Sequence, residues 1–129
     1  MNTKRILFLL PLIIYSGIIY YFSDQEQIKY LNFDFHWEDK IKHFFAFLLY
    51  GFLTFLALKD LSFKPKKKYL LVLLIGSIYG FSDEFHQYFV EGRSSDIYDW
   101  IADVVGVVIS ILIHFIYFKI TLSFSKNQL

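Results

Sequence analysis

Cysteine is absent from the 129 residues. That excludes a disulfide framework, a cysteine-ligated zinc and a thiol nucleophile. Charge is scarce. Only 19% of residues are Asp, Glu, Lys or Arg, and the formal net charge is +1. A disordered chain needs low hydrophobicity and high net charge, so that class is excluded. A strongly basic nucleic-acid binder is disfavoured on the same ground, and no nucleic-acid partner is expected. There is no internal repeat and no low-complexity segment. The G-x-S-x-G elbow of serine hydrolases is missing, and so is the H-E-x-x-H spacing of a zinc peptidase.

What the chain has in excess is apolar surface. Hydrophobic residues make up 56% and aromatics 22%, with 16 Phe and 10 Tyr, and the mean hydropathy is +0.43. A soluble domain carries about 45–50% apolar residues. A bilayer core about 30 Å thick calls for about 20 predominantly apolar residues in a helix. Four segments approach this, at 6–22, 41–58, 69–90 and 100–118. The expected fold is therefore all-α, an integral membrane four-helix bundle in one domain over 1–129. The first segment follows Lys4 and Arg5 like a signal peptide. Its end, Tyr20-Tyr21-Phe22-Ser23-Asp24, offers no small-x-small cleavage site, so it reads as a retained helix.

Charge placement predicts the orientation. With four spans, the N-terminus, the 59–68 loop and the C-terminal tail share one side. That side holds nine of the 13 basic residues, the Lys66–Lys68 run among them, and one acid, Asp60. The opposite side holds four bases and 11 acids. The positive-inside rule then places both termini in the cytoplasm of a multi-pass protein. Tyr30, Phe33, Phe35 and Trp37 in the long outer connection, with Trp100, suit an interfacial aromatic belt or a ligand-stacking surface.

The polar residues within the spans gather at the outer ends. Asp39 and His43 are four apart and share a helix face. Asp39 also suits the N-cap of the second helix. Gly76 and Gly80 form a G-x-x-x-G pattern that permits close helix approach, and their face continues through Glu84 to Gln87. Asp83 and His86 lie on an adjacent face. Gly92 permits a turn, and Ser95 or Asp96 can cap the fourth helix. Asp99, Asp103, Gly106 and Ser110 then follow on one face, with His114 farther along as a packed or interfacial residue.

Acids inside a membrane cost about 2.5–3.5 kcal/mol each at the bilayer centre, and those retained face the bundle interior or a wet cavity. The candidate catalytic residues are thus Glu84, Asp99, His43 and Asp39. Glu84 in a partly dry site suits general-acid work, Asp99 is its partner carboxylate, and His43 oriented by Asp39 suits a base. The candidate binding residues are Arg93, Gln87, Asp103 and Asp83. Arg93 is the expected counter-charge, with a fork that fits a carboxylate or a phosphate. Asp, Glu and His donors also suit a divalent ion, without a diagnostic ligand spacing. An ion-paired cap that only holds four helices in register is the structural alternative.

Three pieces of the chain together resemble the VanZ-like family of small bacterial membrane proteins. Asp39-Lys40-Ile41-Lys42-His43-Phe44 is similar to the family's D-K-x-x-H-F. Asp83-Glu84-Phe85-His86-Gln87 is similar to its D-E-x-H-Q. Gly92-Arg93 followed by Asp99 to Gly106 is similar to its G-R…D-x-x-A-N-x-x-G. Order and spacing agree over roughly 39–110. The chain departs from the pattern at Phe47, where the family often has Tyr, at Asp103, where it often has Asn, and at Glu91, where Pro is common. The resemblance implies a multi-pass protein of the bacterial plasma membrane. It implies a link to the cell envelope and, for the namesake, to glycopeptide (teicoplanin) resistance. The partners it implies are membrane lipids and a lipid-linked cell-wall precursor or glycopeptide. Two functions remain open at this point, an enzyme modifying an envelope component and a non-catalytic module binding an envelope lipid, a cationic ligand or a metal ion.

Overall fold

The computed structural model describes residues 3–25 and 37–126. These form four helices and, among the described residues, no strand: α1 (Thr3–Ser23), α2 (Glu38–Ala57), α3 (Pro65–Gln87) and α4 (Ile97–Lys126). The all-α four-helix expectation holds, with shifted ends. α3 begins four residues early because Pro65 suits a first helical turn, where its missing N–H is no loss. Lys64 before it is extended, at φ −58° and ψ 147°. α3 also ends early, at Gln87, and Gly92 makes the following turn with φ 76°. α4 runs on past Phe118 to Lys126.

The caps differ from expectation at α2. Trp37 is the residue before that helix, and no side chain caps it. Asp39 instead lies in the first turn beside Glu38, where acids complement the positive helix end. At α4 the expectation holds: Asp96 Oδ1 accepts the Tyr98 N–H at 2.9 Å. Of the expected aromatic belt, Tyr30, Phe33 and Phe35 lie outside the described residues. Trp37 is exposed, and Trp100 donates its indole N–H to the Ser77 carbonyl at 3.1 Å, pinning α4 to α3.

α2 and α4 are the closest pair and run parallel. His43 meets Asp103, Gly51 meets Ser110 and Phe55 stacks on His114, so the register advances together along both helices. Gly106 makes this approach possible. A Cβ there would run into the Phe44 carbonyl and the Leu48 nitrogen of α2. α3 packs antiparallel against the pair, with Gly76 facing Val107 and Gly80 facing Asp103. The core is Phe47, Tyr50, Phe55, Val72 and Val107, joined by Ile19 and Leu58. Tyr50 and Tyr79 stack at 4.7 Å with ring planes 4° apart. Tyr79 donates its hydroxyl to the Ser16 carbonyl at 2.7 Å, and Tyr15 donates to the Ala46 carbonyl at 3.2 Å, so two tyrosines fasten α1 to the others.

The outside is apolar. On α3 alone, Leu70, Leu74, Ile78, Phe81 and Phe85 form an exposed stripe at helical spacing. Water-soluble monomers seldom show such contiguous patches. Two helices, α2 and the Ile97–Phe124 stretch of α4, are long and apolar enough to cross a membrane, and α1 has a shorter apolar stretch, Leu7–Ser23.

Candidate functional site

The parallel pairing brings the N-termini of α2 and α4 to one end, where the C-terminus of α3 meets them. Both N-termini carry the positive end of a helix dipole, which favours carboxylates there. Acids crowd this end: Glu38 and Asp39 in the first turn of α2, Asp83 and Glu84 from α3, Asp96 before α4, and Asp99 and Asp103 within it. Asp83, Glu84, Gln87, Asp99, Asp103 and His43 are all buried, and Asp39 is half-buried.

His43 is the centre. Its Nδ1 lies 2.9 Å from Asp103 Oδ1 and 3.7 Å from Glu84 Oε1. Toward a carboxylate, Nδ1–H is the donor, which leaves the lone pair on Nε2. Glu84 is held from its other oxygen. Oε2 accepts the backbone N–H of Asp96 at 3.0 Å, while Oε1 is buried without a hydrogen-bond partner. Asp103 repeats the arrangement: Oδ1 meets His43, and Oδ2 is buried without a hydrogen-bond partner. Gln87 Nε2 donates to Asp83 Oδ2 at 3.1 Å, fixing that carboxylate from one turn away.

The expected pairings change in three respects. His43 is bonded to Asp103 rather than to Asp39, because Gly106 and Gly51 press α4 onto the α2 face that carries His43. Asp39 remains nearby, with His43 and Asp99 each offering a ligand atom within 4.8 Å of its own. Arg93 does not sit among the acids as a clamp. It donates from Nε to the Gln25 carbonyl at 3.0 Å and from Nη2 to the Phe22 carbonyl at 2.7 Å, closing the C-terminal end of α1. Its charge reaches Asp83 only at longer range. The close counter-charge is Lys40, which the sequence places among the outer bases and in the D-K-x-x-H-F motif without a role of its own. Lys40 Nζ lies 2.8 Å from Asp96 Oδ2 and 3.1 Å from Asp99 Oδ1. Its spacing of three from His43 puts both on one helix face, a signal that was present in the sequence.

His86 and His114 are elsewhere. His86 Nε2 lies 3.2 Å from Asp24 and its ring stacks on Tyr20 at 4.5 Å, on the exposed end of α1. His114 stacks on Phe55 at 4.1 Å, with planes 6° apart, at the opposite end of the bundle. It is the packed residue its isolation from acids predicts.

Chemically, the site offers an imidazole polarised by Asp103, a second carboxyl group 3.7 Å from it whose Oε1 lacks a donor, and an Asp103 Oδ2 packed without a partner against Gly80. His43, Asp83 and Glu84 each bring one ligand atom within 4.8 Å of the other two.

The VanZ/LLP1 family model matches residues 2–118, and the chain belongs to that family. The stretch covers all four helices up to Phe118. A fission-yeast (Schizosaccharomyces pombe) protein, "Uncharacterized protein C11E3.10", is 35% identical over 81 residues, which is 63% of this chain and 49% of that protein. The chain thus matches about half the length of this relative. No solved structure matches. The helices and the family together indicate a membrane protein.

Proposed function

We propose that this VanZ/LLP1 protein is a multi-pass plasma-membrane protein whose four helices cross the bilayer with both termini in the cytoplasm. Its buried His–carboxylate site then lies near the outer face and acts on the polar head of a membrane lipid or lipid-linked envelope component. The orientation rests on nine of 13 bases falling at the opposite end from 11 of 12 acids. At 1.5 Å per residue, the 21 residues of α1 and the 23 of α3 reach about 32–35 Å, enough to span the hydrocarbon core.

The observation that carries the reading is His43 bonded to Asp103, with Glu84 Oε1 3.7 Å away and lacking a hydrogen-bond partner. A carboxylate-oriented imidazole serves as general base, and Glu84 serves as the acid beside it. The nucleophile is a water or a substrate hydroxyl, since no side-chain nucleophile is placed on His43 among the described residues.

The test replaces the native gene with Glu84→Gln and scores membrane-lipid composition and susceptibility to glycopeptides such as teicoplanin. An altered lipid species with normal protein levels supports catalysis. Unchanged lipids with altered susceptibility favour the second reading, a non-catalytic module that binds an envelope lipid or cationic ligand. Wild-type behaviour in both assays overturns the proposal.

A further inference from the structure

The charges at the site are unevenly balanced. On the Asp96–Asp99 side, Lys40 lies within 3.1 Å of both acids. On the other side stand Asp83, Glu84 and Asp103, all buried. Among the described residues no cation other than His43 comes within 4 Å of them. One imidazole leaves the other buried carboxyl groups either protonated or in want of a further cation, because uncompensated buried charge is strongly unfavourable. Arg93, the nearest fixed cation in sequence, is spent on two backbone carbonyls.

Each carboxylate is moreover held from behind. Gln87 fixes Asp83, the Asp96 N–H fixes Glu84, and Asp103 fixes the His43 ring. Outer-shell partners of this kind orient metal ligands. Glu84 is 5% exposed, and its unpartnered Oε1 points at His43. One ligand atom each from His43, Asp83 and Glu84 fall within 4.8 Å of one another, close enough for small side-chain shifts to bring all three onto one ion.

We propose that His43, Asp83 and Glu84 form a binding site for one divalent cation of the Zn2+ or Mn2+ class. One imidazole nitrogen with two carboxylates suits these borderline ions better than the all-oxygen preference of Ca2+. The neighbouring trio of Asp39, His43 and Asp99 is the poorer site, because Lys40 already occupies Asp99. This inference rests on the same residues as the proposed function but gives them another part: with an ion bound, His43 and Glu84 are its ligands and not base and acid, so chelated protein that still alters lipids separates the two.

The experiment uses tag-free full-length protein in detergent, stripped with chelator and re-equilibrated with Zn2+ or Mn2+. Bound metal is counted by elemental analysis and affinity by calorimetry. About one ion per chain is expected. Glu84→Gln and Asp83→Asn should each weaken binding at least tenfold, and Asp103→Asn about 10–100-fold. Asp39→Asn should leave binding within about twofold. Circular dichroism of each variant in chelator checks that the helices persist. A stoichiometry near zero overturns the proposal. So does unchanged affinity in folded Glu84→Gln, or loss of binding in Asp39→Asn alone. A metal-free protein that still alters lipids through Glu84 would sink this inference and leave the proposed function standing.

Discussion

Two histidines mark the two ends of the α2–α4 pair, and their surroundings are opposite. His43 lies 2.9 Å from Asp103 and 3.7 Å from Glu84, with further acids beyond. His114 lies face to face on Phe55 at 4.1 Å and edge-on to Tyr69 at 5.9 Å. The same side chain is an electrostatic partner at one end and an aromatic slab at the other. The difference comes from the helices, not the residue. The polar end gathers two helix N-termini and the acids they favour. The other end gathers rings whose stacking contributes about 0.5–1.5 kcal/mol per pair beyond burial.

The sharpest way to break this contrast is to make the same substitution at both ends. His43→Phe leaves Asp103 and Glu84 buried with no opposite charge within 4 Å, and should cost about 3–5 kcal/mol. His114→Phe keeps a ring against Phe55 and should cost less than about 1 kcal/mol. Chemical denaturation in detergent measures both, and equal losses would erase the distinction.

A smaller effect is expected from the glycines that set the helix spacing. Gly106→Val forces a side chain into the α2 backbone and should cost about 1–3 kcal/mol. Gly17 in α1 has open space around it, so Gly17→Val should fall within about 1 kcal/mol of the parent. Thermal unfolding followed by Trp fluorescence separates the two, and a harmless Gly106→Val would show that α2 and α4 are not pressed together there.

The smallest effects concern lysines of one turn. Lys40 bridges Asp96 and Asp99 and is largely enclosed, so Lys40→Ala should lose about 1 kcal/mol. Lys42 pairs with Glu38 across an exposed turn, so Lys42→Ala should lose about 0.3 kcal/mol, vanishing in high salt. A larger loss at Lys42 would reverse the ranking of the two pairs.

Much of the fold was legible in the sequence because helix periodicity is local. The stripe Asp99, Asp103, Gly106, Ser110 is buried as its spacing predicts, and so is the face from Gly76 through Glu84 to Gln87. Helix ends were less legible, since Pro65 and the turn at Gly92 act over one or two residues and shift boundaries by a few positions.

Partner choice was the part that local pattern does not contain. Read helix by helix, His43 pairs with Asp39 four residues away, and Asp103 on another helix is out of view. Arg93 is likewise the counter-charge that the sequence suggests, and the face that Lys40 shares with His43 does not by itself put Lys40 in its place. The sequence by itself determined four helices, a lipid-like exterior and which faces turn polar, because apolar and polar residues recur at intervals of three and four along each helix. Only the tertiary structure decided that Asp103 takes His43, that Lys40 serves Asp96 and Asp99, and that Arg93 closes α1. The reason is the register and separation of α2 and α4, which Gly106 sets where the two backbones touch.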